Sequence, residues 1–280
     1  MPWNNDAISA GASGAIVISL VPHSPILEIR NSELEIGELF VVASYGKIIP
    51  KAILNFPKHG TLNIHPSLLP KYRGPAPIHA AILNGDDKTG VTLMLMDEKV
   101  DHGGIVGNTE LRIQNIENYK SLHDRLAALG AELLIDTLPD YIAGKIKSIP
   151  QDDSQATFTK MITKEDGRID WNKSAEEVDR KVRAFSEWPV AWSIFVGNRM
   201  MKIYETQVLD LSVAGKPGEL EIADGALLAH TGTGVLEIKK IQAPGGRILS
   251  GKEFANGYLK SGRGTFVPFS DSSAAEVPRK

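Results

Sequence analysis

The sequence predicts an α/β protein, a mostly parallel sheet with its helices followed by a small barrel or sandwich of short strands. Two observations carry this. In the first half, short continuous apolar runs alternate with helical patterns, as strands buried on both faces of a parallel sheet do. After about residue 150 the strands crowd together, separated by turn residues.

The run 12-ASGAIVISLV-21 reads as a buried strand with its approach, since it follows Asp6, lacks a basic leader and is too short to span a bilayer. The strand 39-LFVVASY-45 stops at Gly46. A helical turn over 50-PKAILNF-56 leads to a strand at 61-TLNIH-65, and the helix 77-PIHAAILNG-85 ends at Gly85. Strands are predicted at 90-GVTLMLMD-97 and 104-GIVGNTELRI-113. A long helix then places Leu122, Leu126, Leu129 and Leu133 on one face, with Gly144 as its stop. The polar stretch 150-PQDDSQATF-158 is a linker candidate. Ser174 and Glu177 form a capping box that opens a helix with Val178, Val182 and Phe185 inside. Strands follow at 190-VAWSIFV-196, 200-MMKIYETQV-208, 226-ALLAH-230 and 235-VLEIKKI-241. A second capping box, Ser250 with Glu253, starts a terminal helix, and 270–280 reads as a disordered tail.

Composition narrows the chemistry. With no cysteine, disulfide frameworks, thiolate nucleophiles and Cys-ligated zinc are excluded, and a reducing, cytoplasmic setting fits. The seven histidines fall into no metal-binding spacing. A net charge of -3 offers polyanions no bulk attraction, so any nucleic-acid contact has to come from a local patch. No membrane association is expected.

One stretch is over-specified for a loop, 61-TLNIHPSLLPKYRGPAPI-78. Side chains alternate along a strand, so Asn63 and His65 point to one face while Leu62 and Ile64 pack on the other. Both arrive at the carboxyl end of a strand, where open α/β sheets bind ligands, and Pro66 and Pro70 stiffen the exit. A carboxamide beside an imidazole suits holding a carbonyl oxygen as it becomes an oxyanion while a proton moves. Asp101, in the turn 97-DEKVDHGG-104, is the best-placed carboxylate, on the expectation that neighbouring parallel strands end side by side. Spacing alone also admits plain turn chemistry for Asn63 and His65, and a solvated turn for Asp101.

The run 63-NIHPSLLPKYRG-74, with Asp101 in its turn, resembles the signature of enzymes that transfer a formyl group from 10-formyltetrahydrofolate. Within that family, 90-GVTLMLMDEKVD-101, 158-FTKMITKEDGRIDW-171 and 183-RAFSEWP-189 resemble the branch that formylates methionyl-tRNA, and the likeness runs from about residue 39 to about 263. The resemblance implies a Rossmann-like catalytic domain over 1–157, a linker over 158–173, an OB-like tRNA-binding domain over 174–269 and a tail over 270–280. It implies Asn63, His65 and Asp101 as catalytic residues, with protonated His65 and Asn63 stabilising the oxyanion. Ser67, Leu68, Leu69, Pro70, Asp97 and Val100 would line the folate pocket. No metal is implied, and the partners are folate and initiator methionyl-tRNA acting on a monomer.

For tRNA, Arg199, Lys202, Lys239, Lys240 and Arg247 are the candidate cations, to which Lys260 could be added. Residues 167–272 hold fourteen Lys and Arg against thirteen Asp and Glu, so a solvated mixed surface is an equal reading. The family's opening strand, Gly-Thr-Pro-type turn and basic loop have no counterpart here, and residues 1–38 match poorly. A first βαβ portion is therefore expected to be missing, through a misassigned start or a truncated frame, with loss of a wall from each pocket. Lys99 stands where the family prefers glycine, and His102 and Gly104 replace its usual Thr and Asp. Three alternatives stay open: a formyltransferase for an amino-sugar nucleotide, one for glycinamide ribonucleotide, which lacks a second domain, and an inactive fragment.

Overall fold

The computed structural model describes residues 15–19, 38–44, 49–210, 215–259 and 263–267. The chain divides into two compact units, one built mainly from residues up to Met161 and the other mainly from Ile162 onward.

The first unit is a five-stranded sheet in chain order, β1 (Ala15–Ser19), β2 (Leu39–Ala43), β3 (Thr61–His65), β4 (Lys88–Leu95) and β5 (Ile105–Arg112). The first three strands are parallel, whereas β4 runs antiparallel to β3 and β5 antiparallel to β4. The link over 96–104 is too short for a crossover, so β4 and β5 can only form a hairpin. Three helices accompany the sheet, α1 (Lys51–Leu54), α2 (Pro77–Asn84) and α3 (Tyr119–Ile142).

Helix α3 buries Leu122, Leu126, Gly130, Leu134 and Leu138. Leu129 and Leu133 are half-buried, so the inner stripe runs one position away from the expected one after its second turn. Gly130 is what hides it. A Cβ there would stand 2.8 Å from Ile64 Cγ2, so only glycine lets the helix lie this close to β3. Leu134 and Leu138 join Leu39, Val41, Leu62, Leu93 and Val106 in the core, with Ile64 packed against them. One face of β3 is thus taken by hydrophobic burial, and Asn63 and His65 occupy the other.

The stretch over 150–158 is no free linker. Ile149 bridges Ile105, and Phe158 bridges Arg73. Thr157 N–H donates to Pro70 O (3.2 Å), Arg73 N–H to Thr157 O (2.9 Å) and Thr159 N–H to Arg73 O (2.7 Å). It is a strap laid beside the turn that follows β3.

The second unit opens with α4 (Ala175–Ala184), whose capping box of Ser174 and Glu177 is formed as expected. Around it lie β6 (Ala191–Phe195), β7 (Arg199–Leu209), β8 (Glu219–Ala223), β9 (Ala226–His230), β10 (Val235–Gln242), β11 (Ile248–Ser250), α5 (Gly251–Tyr258) and β12 (Arg263–Thr265). The sheet order is β12-β8-β9-β10-β7-β6, antiparallel throughout, with β11 on β10. Past β12 the chain turns back onto β6, where Phe266 bridges Phe195 and Val267 N–H donates to Ile194 O (2.7 Å). The sheet therefore closes on itself and leaves few edge groups unpaired. Its core stacks Trp171 on Phe266 (ring centroids 5.0 Å apart) and sets Phe195 edge-on to Phe254 and Phe266. The predicted tail over 270–280 lies outside the described residues.

Candidate active site

His65 ends β3 with 5% of its surface exposed, and Asn63, two residues earlier on the same face, with 9%. The imidazole is held at both nitrogens. Nε2–H donates to the Tyr72 carbonyl (3.0 Å), and Nδ1 stands 3.6 Å from Asp101 Oδ1. The other Asp101 oxygen accepts the Gly74 N–H (2.7 Å). Tyr72 and Asp101 both have left-handed backbone, φ +62° and +47°, so two strained non-glycine residues meet at one imidazole. Strain gathered in one place is the mark of geometry held for use.

Asp101 reaches His65 by a route the sequence does not predict. Strand β4 is antiparallel to β3, with Leu95 opposite Leu62 and Thr92 opposite His65. The two strands do not end side by side, and Asp101 is delivered by the connection between β4 and β5.

Burial pushes the His65 pKa below its ordinary 6.5, against the opposing pull of the Asp101 carboxylate and the Tyr72 carbonyl. That direction favours the neutral form of the ring at rest, with the Asp101 carboxylate in place to support the charge once a proton arrives. With Nε2–H committed to Tyr72, the Nδ1 lone pair faces the carboxylate, and one proton on that line would bond the two. No group among the described residues hydrogen-bonds the Asn63 carboxamide, although it is almost fully covered. A carboxamide with no hydrogen-bond partner among the described residues, on the same strand face as the His65–Asp101 pair, fits an incoming carbonyl oxygen.

The remaining predicted residues lie close in sequence to this pair. Ser67 is buried and donates to the Lys71 carbonyl (2.5 Å). Leu69 N–H donates to Thr92 Oγ1 (3.1 Å), which in turn donates to Ser67 O (2.7 Å), tying the turn to β4. Leu68 and Pro70 are half-buried. Asp97 is committed to His102 Nδ1 (2.6 Å) and the Lys99 N–H (2.9 Å), and Val100 is exposed. Sequence reasoning missed the Tyr72 carbonyl and the Gly74 N–H, because backbone groups leave no residue-type signal.

The predicted tRNA cations occupy the second unit. Lys239 pairs with Glu237, Lys240 with Glu205 (2.6 Å) and Arg247 with Glu253 (2.7 Å). Arg199 lies 5.3 Å from the Phe195 and Tyr258 rings, and Lys202 makes no ion pair among the described residues. Lys260 lies outside the described residues.

Two family models match the chain, "Formyl transferase" over residues 29–138 and "Formyl transferase, C-terminal domain" over 161–259. The first match begins at residue 29, ahead of the position near 39 expected from sequence. A methionyl-tRNA formyltransferase of Methylococcus capsulatus is 42% identical over 226 residues, covering 81% of this chain and 73% of that protein. Another from Listeria monocytogenes is 39% identical over 238 residues, covering 83% and 76%. Among solved structures, HypX from Aquifex aeolicus in complex with tetrahydrofolic acid superposes with a TM-score of 0.63 at 24% identity, over 80% of this chain and 39% of that one. An N-formyltransferase from Helicobacter canadensis gives 0.57 at 19%, over 73% of each. At those identities the two structures speak for the fold.

Proposed function

The chain belongs to the formyl transferase family, and on that premise we infer that it transfers the formyl group of 10-formyltetrahydrofolate to the amino group of methionyl-tRNA. The observation that carries the reading is the His65–Asp101 pair at 3.6 Å, with the unpartnered Asn63 carboxamide on the same strand face. The choice of acceptor rests on relatives of that name at 39–42% identity over about four-fifths of the chain.

10-Formyltetrahydrofolate supplies an activated formyl carbon whose nitrogen can leave. Asn63 Nδ2 donates to the formyl oxygen as it gains charge. Asp101, the more exposed of the pair, takes the proton from the attacking amine, and the neighbouring Nδ1 of His65 shares it. The shared proton then goes to the departing nitrogen. One N–C bond forms and one breaks, and the proton lost by the amine is the one the leaving nitrogen gains. The polar and apolar run from Ser67 to Pro70, with Asp97 and Val100 on the opposing loop, supplies the folate contacts in this reading.

The closed antiparallel sheet is read as an OB-like module that meets the initiator tRNA. Arg199 and Lys202, both on β7, are its candidates without an acidic partner among the described residues, Arg199 lying over the Phe195 and Tyr258 rings, since the other three are paired with glutamates.

The test is formylation of methionyl-tRNA by the purified chain and its Asn63→Ala variant. Loss of one oxyanion donor lowers kcat by about 10²–10³, or roughly 2.7–4 kcal/mol, with melting behaviour retained. Turnover near the wild-type rate would remove Asn63 from the site.

A further inference from the structure

After α3, and still within the first unit, the chain forms the strap over 150–158, and one of its side chains is bonded to the loop that carries Asp101. Gln151 Nε2 donates to two carbonyl oxygens, that of Asp101 at 2.9 Å and that of Gly103 at 2.8 Å. Its Oε1 accepts Arg73 Nε–H at 3.0 Å. The amide orientation is fixed by chemistry, because a guanidinium can only donate and a carbonyl can only accept. Both amide protons and the oxygen are therefore in use.

Arg73 gives the arrangement its rigidity. It is 3% exposed, its Nη2 pairs with Asp153 at 2.7 Å, and its backbone is bonded on both sides to Thr157 and Thr159. His102, between the two carbonyls that Gln151 grips, is held by Asp97 (2.6 Å) and lies 3.4 Å from Asp153. The loop is thus gripped through its backbone on either side of residue 102 and through the side chain at 102 itself. Asp101 sits there at φ +47°, left-handed backbone that is uncommon outside glycine and that aspartate tolerates better than most residues.

We propose that Gln151 is a positioning residue for formyl transfer, acting through Asp101 by pinning the carbonyls of residues 101 and 103 so that the carboxylate faces His65. No other common side chain supplies two donors and an acceptor from a single planar head at this reach. Glutamate keeps the bond to Arg73 and sets negative charge against two carbonyls, and methionine keeps the volume and makes none of the three bonds.

This rests on the catalytic reading of Asp101 given above, and the experiment separates the two. The full chain is compared with Gln151→Met, Asp101→Asn and the double variant, by formylation kinetics and by NMR titration of the His65 ring. Gln151→Met is expected to lower kcat by about 10- to 100-fold, with KM for both substrates changed less than about threefold. The His65 midpoint should fall toward that of Asp101→Asn, since the carboxylate that supports the charged ring has moved away. In the Asp101→Asn background the methionine should cost less than about threefold, its target having gone. A kcat within about threefold of wild type, a His65 midpoint that does not move, or a loss that multiplies in full on Asp101→Asn each overturns the proposal. Should Gln151→Met fail to fold, Gln151→Glu decides the same cycle. A fully active Asp101→Asn sinks the catalytic reading instead, and the NMR titration still reports whether Gln151 holds the loop.

Discussion

Substituting alanine for Gly103 measures how much freedom the Asp101 loop has. A Cβ at residue 103 would lie 1.8 Å from the Leu95 carbonyl oxygen, 2.9 Å from its carbon and 3.2 Å from the Asp97 nitrogen. Real Cβ atoms essentially never come within 3.0 Å of a heavy atom, so the loop has to move by more than an ångström. All three neighbours are backbone, and Leu95 N–H is bonded to the Gly104 carbonyl at 2.8 Å, so β4 cannot yield cheaply. The loop shifts instead, and Asp101 is two residues from the new methyl group. A misplacement of about 1 Å costs roughly 10²-fold in rate, or about 2.7 kcal/mol at 1.36 kcal/mol per tenfold. Overpacking itself takes about 1–3 kcal/mol of stability, which a melting curve reports separately. Steady-state formylation well below the melting temperature should show kcat of Gly103→Ala down by about 100-fold and KM for methionyl-tRNA little changed. If kcat stays within about threefold of wild type, the placement of Asp101 does not depend on close packing at Gly103, and the reasoning fails.

Three further outcomes follow from the same geometry. His65 has a folded-state pKa below its unfolded 6.5, so its contribution to stability is complete above that value and is lost as pH falls, when the unfolded chain takes up the proton first. Urea unfolding at about pH 7.5 and about pH 5.5 should therefore show a smaller pH effect in His65→Gln than in wild type, and equal effects would refute the buried neutral ring. Ser174→Ala removes the hydroxyl that accepts the Glu177 N–H at the start of α4, and should lower stability by about 1 kcal/mol at unchanged denaturant m-value. For tRNA, Lys202→Ala should reduce the slope of log binding constant against log salt by about 0.7–1, whereas Lys239→Ala, already paired with Glu237, should change it less; the opposite ranking would discard Lys202 as a phosphate contact.

What the sequence made legible follows the range over which its signals act. Asn63 and His65 could be placed on one face because a strand has a period of two, and Leu62 and Ile64 confirm it by lying in the core opposite. The capping boxes at Ser174 and Ser250 were readable for the same reason, each being complete within four residues. Gly130 shows how a local rule misleads, since a glycine on a helix scores as a breaker, yet here it marks where α3 comes nearest β3. The downward shift of the His65 pKa could not be read at all, because burial is set by everything packed around the ring. Strand β8, 219-ELEIA-223, is not among the strands expected from sequence, although Leu220 and Ile222 alternate with polar neighbours in it.

The deepest gap lies between polar residues far apart in the chain. Gln151 is 50 residues from Asp101 and 78 from Arg73, and nothing local in 150-PQDDSQATF-158 separates a tether from a solvated linker. The separation has a physical consequence for how the site is assembled. His65 ends β3 and Asp101 lies in the loop that follows β4, so the pairing of β3 with β4 brings that loop toward His65. The strap reaches the same loop from beyond α3, so its contact with Asp101 closes a longer stretch of chain than the β3–β4 pairing does. The carboxylate is therefore brought near by the sheet and aimed by the strap. Mutations in the strap should accordingly disturb rate more than fold, and those at the β3–β4 pairing should do the reverse.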